Sequence, residues 1–247
     1  PSNEGRFPVK AGIALGPLTT IGLGGAARYF CACSSREEIR ECLRWAQAGN
    51  VPVQVMGAGS NIIFSDAGFD GIVLQPNLKG IWFNKEPGFT IAEAAAGENW
   101  DDFVRTCIER GLAGLECLSG IPGSVGAAPV QNVGAYGQDV SETLIALCVL
   151  DRRTLEEIEI PAAQCHFAYR NSRFKQDDRD RYIILSVRFR LENNGRPAVR
   201  YPELSKFLRD SGRDPGLLPP GRPALSVVRE ALLTLRRRKS MLLDPHD

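Results

Sequence analysis

The chain has 247 residues, 43% apolar and 24% charged, with a formal net charge of +1. That is enough material for one large domain or two modest ones, and the near-neutral balance excludes a globally basic nucleic-acid binder. No apolar run reaches the length of a membrane span and no signal peptide is read, so neither a membrane protein nor a secreted one is expected.

Residues 1–16 read as a loose lead-in, and Pro1 in place of Met points to a native start further upstream. In 18–30, LTTIGLGGAARYF, Gly22, Gly24 and Ala27 match the dinucleotide pattern GxGxxA. That pattern needs a hydrophobic strand before it and a helix after it. Only PLTTI precedes this one and 28–33 looks like a strand, so the expectation is a glycine turn entering a strand. Residues 35–49 predict an amphipathic helix: Ser35 and Glu38 form a capping box, Ile39, Leu43 and Ala46 make the apolar stripe, and Gly49 closes the far end. Residues 51–56 read as a short strand running into Gly57, Ala58, Gly59, Ser60 and Asn61. A small, glycine-rich turn fed by a strand is a candidate anion cradle.

Segments 71–75, 79–84 and 90–96 alternate or run apolar between Pro and Gly and predict strands. Residues 99–111 predict a second helix, with Asn99 as N-cap, Asp101 and Asp102 in the first turn and Gly111 at the end. Then comes 114–137, GLECLSGIPGSVGAAPVQNVGAYG, with six glycines, two prolines and no Lys, Arg or Asp. Glycine lets backbone turn sharply and approach a ligand, and clustered N–H groups hold an anion without a basic side chain. The stretch reads as a phosphate- or cofactor-cradling loop packed inside the protein. The alternative is a buried, turn-rich connection with no ligand. A bulky diphosphate needs contacts from more than one side, which this stretch and 57–61 would supply together.

Segments 144–151 and 156–160 predict strands, and 182–191 a longer one with Arg188 and Arg190 outward. Between them lies 167–175, FAYRNSRFK. It is either a solvated basic loop or, through an Arg between Tyr and Asn, a bidentate binder of carboxylate or phosphate. Residues 192–223 read as a Pro/Gly/Arg-rich linker with one short helix near 202–211. Residues 223–239 predict a final helix with Leu225, Val228, Leu232 and Leu235 buried. Arg236 and Lys239 share a face at its C-terminal end, where they suit the helix dipole or form an anion clamp. The seven cysteines include no CxxC pair and read as reduced core thiols of a cytosolic protein. Cys31 and Cys33 share a strand face, but a metal site needs further ligands and none is readable nearby. His166 and His246 are too few for a metal cluster.

In this order and at these separations, TTIGLGG, VMGAGSN, the 114–137 stretch, YRNSRFK and RRRKSMLLDP resemble the UDP-N-acetylenolpyruvoylglucosamine reductase family, over about residues 17–245. The GAGSN turn is shared more widely by flavoproteins of the vanillyl-alcohol-oxidase type. The resemblance implies an α+β, two-subdomain FAD-binding fold of that type. Its subdomains would be 1–78 and 79–194, with 195–247 a linker and the first part of a truncated substrate-binding domain. It implies non-covalent FAD, NADPH as reductant, and reduction of UDP-N-acetylglucosamine enolpyruvate to UDP-N-acetylmuramate for peptidoglycan synthesis. A cytoplasmic monomer with no nucleic-acid or membrane partner is expected.

Carried over residue by residue, Gly57, Ala58, Gly59, Ser60 and Asn61 match the family's pyrophosphate-binding turn. Ile121, Pro122, Gly123, Ser124, Val125 and Gly126, with Gln131, Asn132, Gly134, Ala135 and Tyr136, match its second flavin-binding segment. Arg170 matches the catalytic arginine that activates the substrate carboxylate, and Tyr169 is its neighbour in the motif. Tyr201 resembles a tyrosine of the substrate-covering loop. Lys239, and more loosely Arg236, match a basic pair facing diphosphate and sugar. An arginine fixed on a carboxylate that gains negative charge stabilises the transition state more than the ground state. The family's proton-donating serine and its catalytic glutamate match no residue here. The expectation is therefore a fragment of a longer protein that binds FAD and turns over poorly. Two alternatives stand: another FAD-dependent oxidase of the same fold, and a non-catalytic flavin- or nucleotide-binding protein. Such oxidases often tether flavin through His or Cys. Neither loop has a His and only Cys117 lies near one, which favours free FAD.

Overall fold

The computed structural model describes residues 7–243. Residues 1–6 of the expected lead-in, and the end of the chain with Asp244, Pro245 and His246, lie outside the described residues. Two lobes, each built on its own sheet, follow one another along the chain.

The first lobe contains β1 (Val9–Ala14), β2 (Ala26–Cys33), α1 (Arg36–Ala48), β3 (Val53–Val55) and β4 (Phe69–Pro76), in the sheet order β1-β2-β4-β3. The pairs β2/β4 and β3/β4 are parallel and β1/β2 is antiparallel. Strand β1 corrects the expected loose lead-in. VKAGIA is mostly exposed, so it carries no core-facing alternation, yet it pairs along the edge of β2. Its order comes from a partner distant in sequence, which local pattern cannot show. Helix α1 buries Ile39, Leu43 and Ala46 as expected, together with Cys42. Only half of the capping box forms. Ser35 accepts from the Glu38 N–H, while the Glu38 carboxylate reaches past Ser35 to the N–H of Ser34 at 2.7 Å. The stop differs too: Gly49 keeps φ −90° and Asn50 takes the left-handed position at φ +50°.

The second lobe contains β5 (Ile81–Lys85), β6 (Phe89–Ala95), α2 (Trp100–Glu109), β7 (Leu112–Ala113), the small hairpin β8 (Gly134–Ala135) and β9 (Gln138–Asp139), β10 (Leu144–Asp151), β11 (Glu157–Pro161) and β12 (Tyr182–Asn193). Its sheet runs β11-β10-β12-β6-β5, all antiparallel, with β7 on the end of β12. Asn99 caps α2 by accepting the Asp102 N–H, and Gly111 follows the helix at φ +73°. Trp100, Phe103 and Phe189 pack together at the centre, with ring centroids 5.3–6.1 Å apart. Two helices complete the chain, α3 (Pro202–Asp210) and α4 (Arg222–Arg238). Leu204 and Leu208 of α3 pack on Val228, Leu232 and Leu235 of α4 and on Cys117.

The lobes share a core in which Leu150, Ile183 and Leu185 of the second sheet join α1 and β2. Glu157 on β11 receives both Arg36 and Arg40 of α1. The 114–137 stretch is woven in between, with short 3-10 turns at Glu116–Leu118 and Val125–Gln131. Its backbone is tied to the end of β6 through Val125 N–H to Glu98 O and Gly126 N–H to Ala96 O, both 2.9 Å. Trp100 Nε1 donates to Leu118 O at 3.1 Å. These bonds fix the loop on the second lobe, facing the turn that follows β3. Among the described residues no helix is long and apolar enough to cross a membrane.

Candidate functional site

A cleft of about 630 Å³ opens where the two glycine-rich segments face each other. Gly57, Ala58, Gly59, Ser60 and Asn61 form one wall; Ile121, Pro122, Gly123, Ser124, Gly126 and Gln131 form the other. Pro76, Ala96, Trp100 and Ile184 give it an apolar floor. The walls are clasped directly. Ser60 Oγ donates to Pro122 O at 3.3 Å, and Asn61 Nδ2 donates to Gln131 Oε1 at 3.0 Å.

The backbone explains why the first wall is glycine-rich. Gly59 has φ +73°, and a Cβ there would lie 2.0 Å from the carbonyl oxygen of Leu18. Thr20 N–H holds the Gly59 carbonyl from the same side at 3.0 Å. The TTIGLGG stretch thus backs the turn rather than touching the cleft itself. Gln75 Nε2 fixes the Gly57 carbonyl at 2.8 Å. With the carbonyls of Gly57 and Gly59 held behind the turn, its N–H groups are left over. Among the described residues no acceptor takes the N–H groups of residues 57 to 61, nor those of Ile121, Gly123 and Ser124 opposite. Gly57, Gly59, Ser60, Ile121, Gly123 and Ser124 are buried or half-buried, and N–H groups of such residues are nearly always paired. Two such rows face one cleft from the two lobes, and their donors are of the kind an anionic group can meet.

Three cations also line the cleft: Arg152, Lys175 and Arg179, with Asp180 among them. Arg152 donates to Asp180 O at 2.6 Å and Val53 O at 3.2 Å, and burial pushes its pKa below the ordinary arginine value. Lys175 donates to Arg170 O at 3.2 Å. Phe174 and Lys175 belong to the FAYRNSRFK motif, but Arg152, Arg179 and Tyr182 carried no sequence signal for this role.

The remaining expected residues do not line the cleft. Val125 is fully buried beneath it. Asn132 braces the loop, its Oδ1 accepting from Ser141 N–H at 3.0 Å and its Nδ2 donating to Ala168 O at 3.2 Å. From Asn132 the chain turns away through Gly134 and Ala135 of β8 to a second cluster. There the rings of Tyr136 and Tyr201 meet edge to face at 5.4 Å. Lys239 pairs with Glu203 at 2.7 Å, and that carboxylate raises the Lys239 pKa, with Tyr136 and Tyr201 close by. Arg236 turns inward. It is 8% exposed, and its Nε donates to Gly120 O at 3.1 Å and its Nη2 to Met241 O at 3.3 Å. Burial lowers its pKa. It therefore holds the start of the cleft's second wall rather than facing outward beside Lys239.

Arg170 lies between the two places. Its guanidinium donates to Asn132 O at 3.4 Å and to Gly134 O. Tyr169 beside it is 90% exposed, with the Arg170 guanidinium carbon 5.5 Å from its ring centroid. Asn132, Tyr136 and Arg170 all have left-handed backbone, at φ +46°, +49° and +53°. Strain of this kind in non-glycine residues tends to gather at functional sites.

Glu116, the single charge in the 114–137 stretch, is 1% exposed and fully engaged. It accepts from Gly114 N–H and Ala198 N–H, both at 2.8 Å, and from Gln138 Nε2 at 3.4 Å, pinning the loop to the segment that leads into α3. Cys117 is buried, donates to Ala198 O at 3.3 Å and does not reach the cleft.

Comparison with known proteins places the chain by family and by fold. A family model described as "FAD binding domain" matches residues 27–154, slightly over half of the chain. The curated UDP-N-acetylenolpyruvoylglucosamine reductase of Streptomyces avermitilis is 44% identical over 94% of this chain, which corresponds to 61% of that protein. The chain thus spans about three fifths of the length of this relative. Among solved structures the fold is similar to the UDP-N-acetylenolpyruvylglucosamine reductase of Thermus caldophilus, with a TM-score of 0.66, 22% identity, 94% of this chain and 70% of that one covered. It is also similar to a VAO-type flavoprotein from Myceliophthora thermophila, with a TM-score of 0.52, 16% identity, and 69% and 32% covered. The fold is the α+β, two-subdomain FAD-binding fold of the vanillyl-alcohol-oxidase type, and the chain belongs to the FAD binding domain family.

Proposed function

We propose that the chain holds FAD non-covalently in the cleft as part of a UDP-N-acetylenolpyruvoylglucosamine reductase, reducing UDP-N-acetylglucosamine enolpyruvate to UDP-N-acetylmuramate for peptidoglycan with NADPH as reductant. The observation that carries the reading is the pair of facing N–H rows without protein acceptors, at residues 57 to 61 and at Ile121, Gly123 and Ser124. They suit a diphosphate approached from both sides, with the apolar floor taking the flat ring system. When bound, FAD supplies the two-electron transfer between nicotinamide and substrate. Residues 1–78 and 79–194 act as the two FAD-holding units, and 195–247 opens the substrate-binding part.

In this reading Arg170 swings from the Asn132 and Gly134 carbonyls onto the substrate carboxylate, where its planar fork stabilises the negative charge that develops there. Tyr169, Tyr136, Tyr201 and Lys239 form the rim that receives the UDP-sugar. Arg236 acts behind them by holding Gly120. The buried Cys117, outside the cleft, supports non-covalent FAD. Seven free thiols fit a reducing cytoplasm, and we place the protein there as a monomer.

The reading is tested by loading the chain with FAD, adding NADPH anaerobically, and then adding the enolpyruvyl UDP-sugar. Loss of the visible flavin absorbance with NADPH supports it, and its return with the UDP-sugar supports the substrate. A flavin that stays oxidised with NADPH refutes the assigned reductant. A reduced flavin that the UDP-sugar never reoxidises, in this chain or in a full-length relative, refutes the assigned substrate.

A further inference from the structure

The side chains of Cys31 and Cys33 leave β2 on the same face of the sheet, as strand periodicity requires. What the sequence does not show is that α1 packs across that face and brings Cys42 onto them. All three are fully buried. The Cys31 and Cys33 sulfurs are 3.3 Å apart, and the three sulfurs lie within 4.8 Å of one another. Ile39, Leu43, Ile72 and Leu74 belong to the same core. Among the described residues no His, Asp or Glu joins the group, and Cys107, Cys117, Cys148 and Cys165 form no group of this kind. None of the three thiols lines the cleft.

We propose that Cys31, Cys33 and Cys42 form a binding site for one soft monovalent cation of the Cu(I) class. Sulfur donors select soft ions. Three sulfurs placed about 2.3 Å from one ion stand about 4 Å apart, within the spacing that β2 and α1 already impose. A structural zinc ion takes four ligands, and no fourth donor is present among the described residues. Sulfur ligates metal as the thiolate, so binding displaces the three thiol protons to solvent and involves no change of oxidation state. The bound ion ties α1 to β2.

The test is an anaerobic titration of the whole reduced chain with Cu(I) buffered by a chromogenic chelator. One Cu(I) per chain is expected. Loss of a mere outer-shell partner costs metal sites about 10–100-fold, so Cys42→Ala and Cys31→Ala should each weaken binding by about 100-fold or more, and Cys107→Ala and Cys165→Ala by less than about threefold. Because the alanine variants open a space in the core, X-ray absorption on the unmodified protein gives an independent sulfur count, expected to be three. A copper coordinated mainly by nitrogen or oxygen, binding unchanged in both Cys31→Ala and Cys42→Ala, or a folded chain that takes no Cu(I) from the chelator would each overturn the proposal.

Discussion

Asp101 joins the last helix to the cleft, and replacing it by Asn isolates the value of its charge. Its Oδ1 accepts from Gly120 N–H at 2.6 Å and from Arg229 Nη1 at 2.6 Å, and its Oδ2 accepts from Arg229 Nη2 at 2.7 Å. The side chains are 29% and 13% exposed. Asn keeps the shape and one acceptor but leaves the Arg229 guanidinium half-buried without a counter-ion. Breaking a fully buried pair by removing one partner costs about 3–5 kcal/mol, and the partial exposure here brings the expectation to about 2–3 kcal/mol. For a chain of this size that is a fall in Tm of roughly 5–10 °C. The assay is urea unfolding with an unchanged m-value, followed by the cycle with Arg229→Gln, whose coupling energy should exceed about 1 kcal/mol. A loss under about 0.5 kcal/mol would mean that water screens the pair like a surface bridge, and the reasoning would fail. The acid limb has a defined sign. Burial alone would raise the Asp101 pKa, but the Arg229 fork and the Gly120 N–H outweigh it and hold the carboxyl below its ordinary value. Its contribution is therefore complete above the unfolded aspartate pKa of about 3.9 and is lost as pH falls through the folded value. Asp101→Asn should lose less stability than the parent over that interval.

Gly59→Ala should destabilise the fold by about 2 kcal/mol or more, from the strain of a left-handed alanine and the overlap with the Leu18 carbonyl. FAD affinity should fall with it, and a variant that melts and binds FAD like the parent would show that the turn is not held against Leu18. Arg170→Lys should keep FAD affinity but, in the full-length enzyme, lose most substrate-dependent flavin reoxidation, because Lys cannot reproduce the planar fork. Stopped-flow reoxidation at near-parental rates would remove Arg170 from the reaction. Ser35→Ala should cost about 1 kcal/mol through the lost cap on Glu38 N–H, read by thermal melting.

The parts of this protein that local pattern controls were legible in the sequence. Ile39, Leu43 and Ala46 of α1, and Leu225, Val228, Leu232 and Leu235 of α4, are buried as their spacing required. The two glycine-rich segments could be picked out because glycine marks places where a Cβ does not fit, and at Gly59 and Gly126 the obstacle is a neighbouring part of the chain. What stayed hidden depends on long-range packing. Strand β1 needs the edge of β2. Arg236 looked like a partner of Lys239 on one helix face, yet the Gly120 carbonyl, distant in sequence, draws it inward. Asn132, Gly134, Ala135 and Tyr136 sit in the same glycine-rich run as Ile121 to Gly126, but after the left-handed turn at Asn132 only Val133 still lines the cleft. Arg152 and Arg179 reach the cleft from the turn after β10 and from the loop before β12, where nothing in their neighbours distinguishes them from surface cations.

The most direct test of the account is equilibrium binding of FAD to the purified chain. The protein is stripped of any bound flavin, refolded, and titrated with FAD while flavin absorbance and protein fluorescence are followed. The account predicts one non-covalent FAD per chain, released intact on denaturation, with affinity reduced by Gly59→Ala. A folded chain that remains colourless at saturating FAD would contradict it.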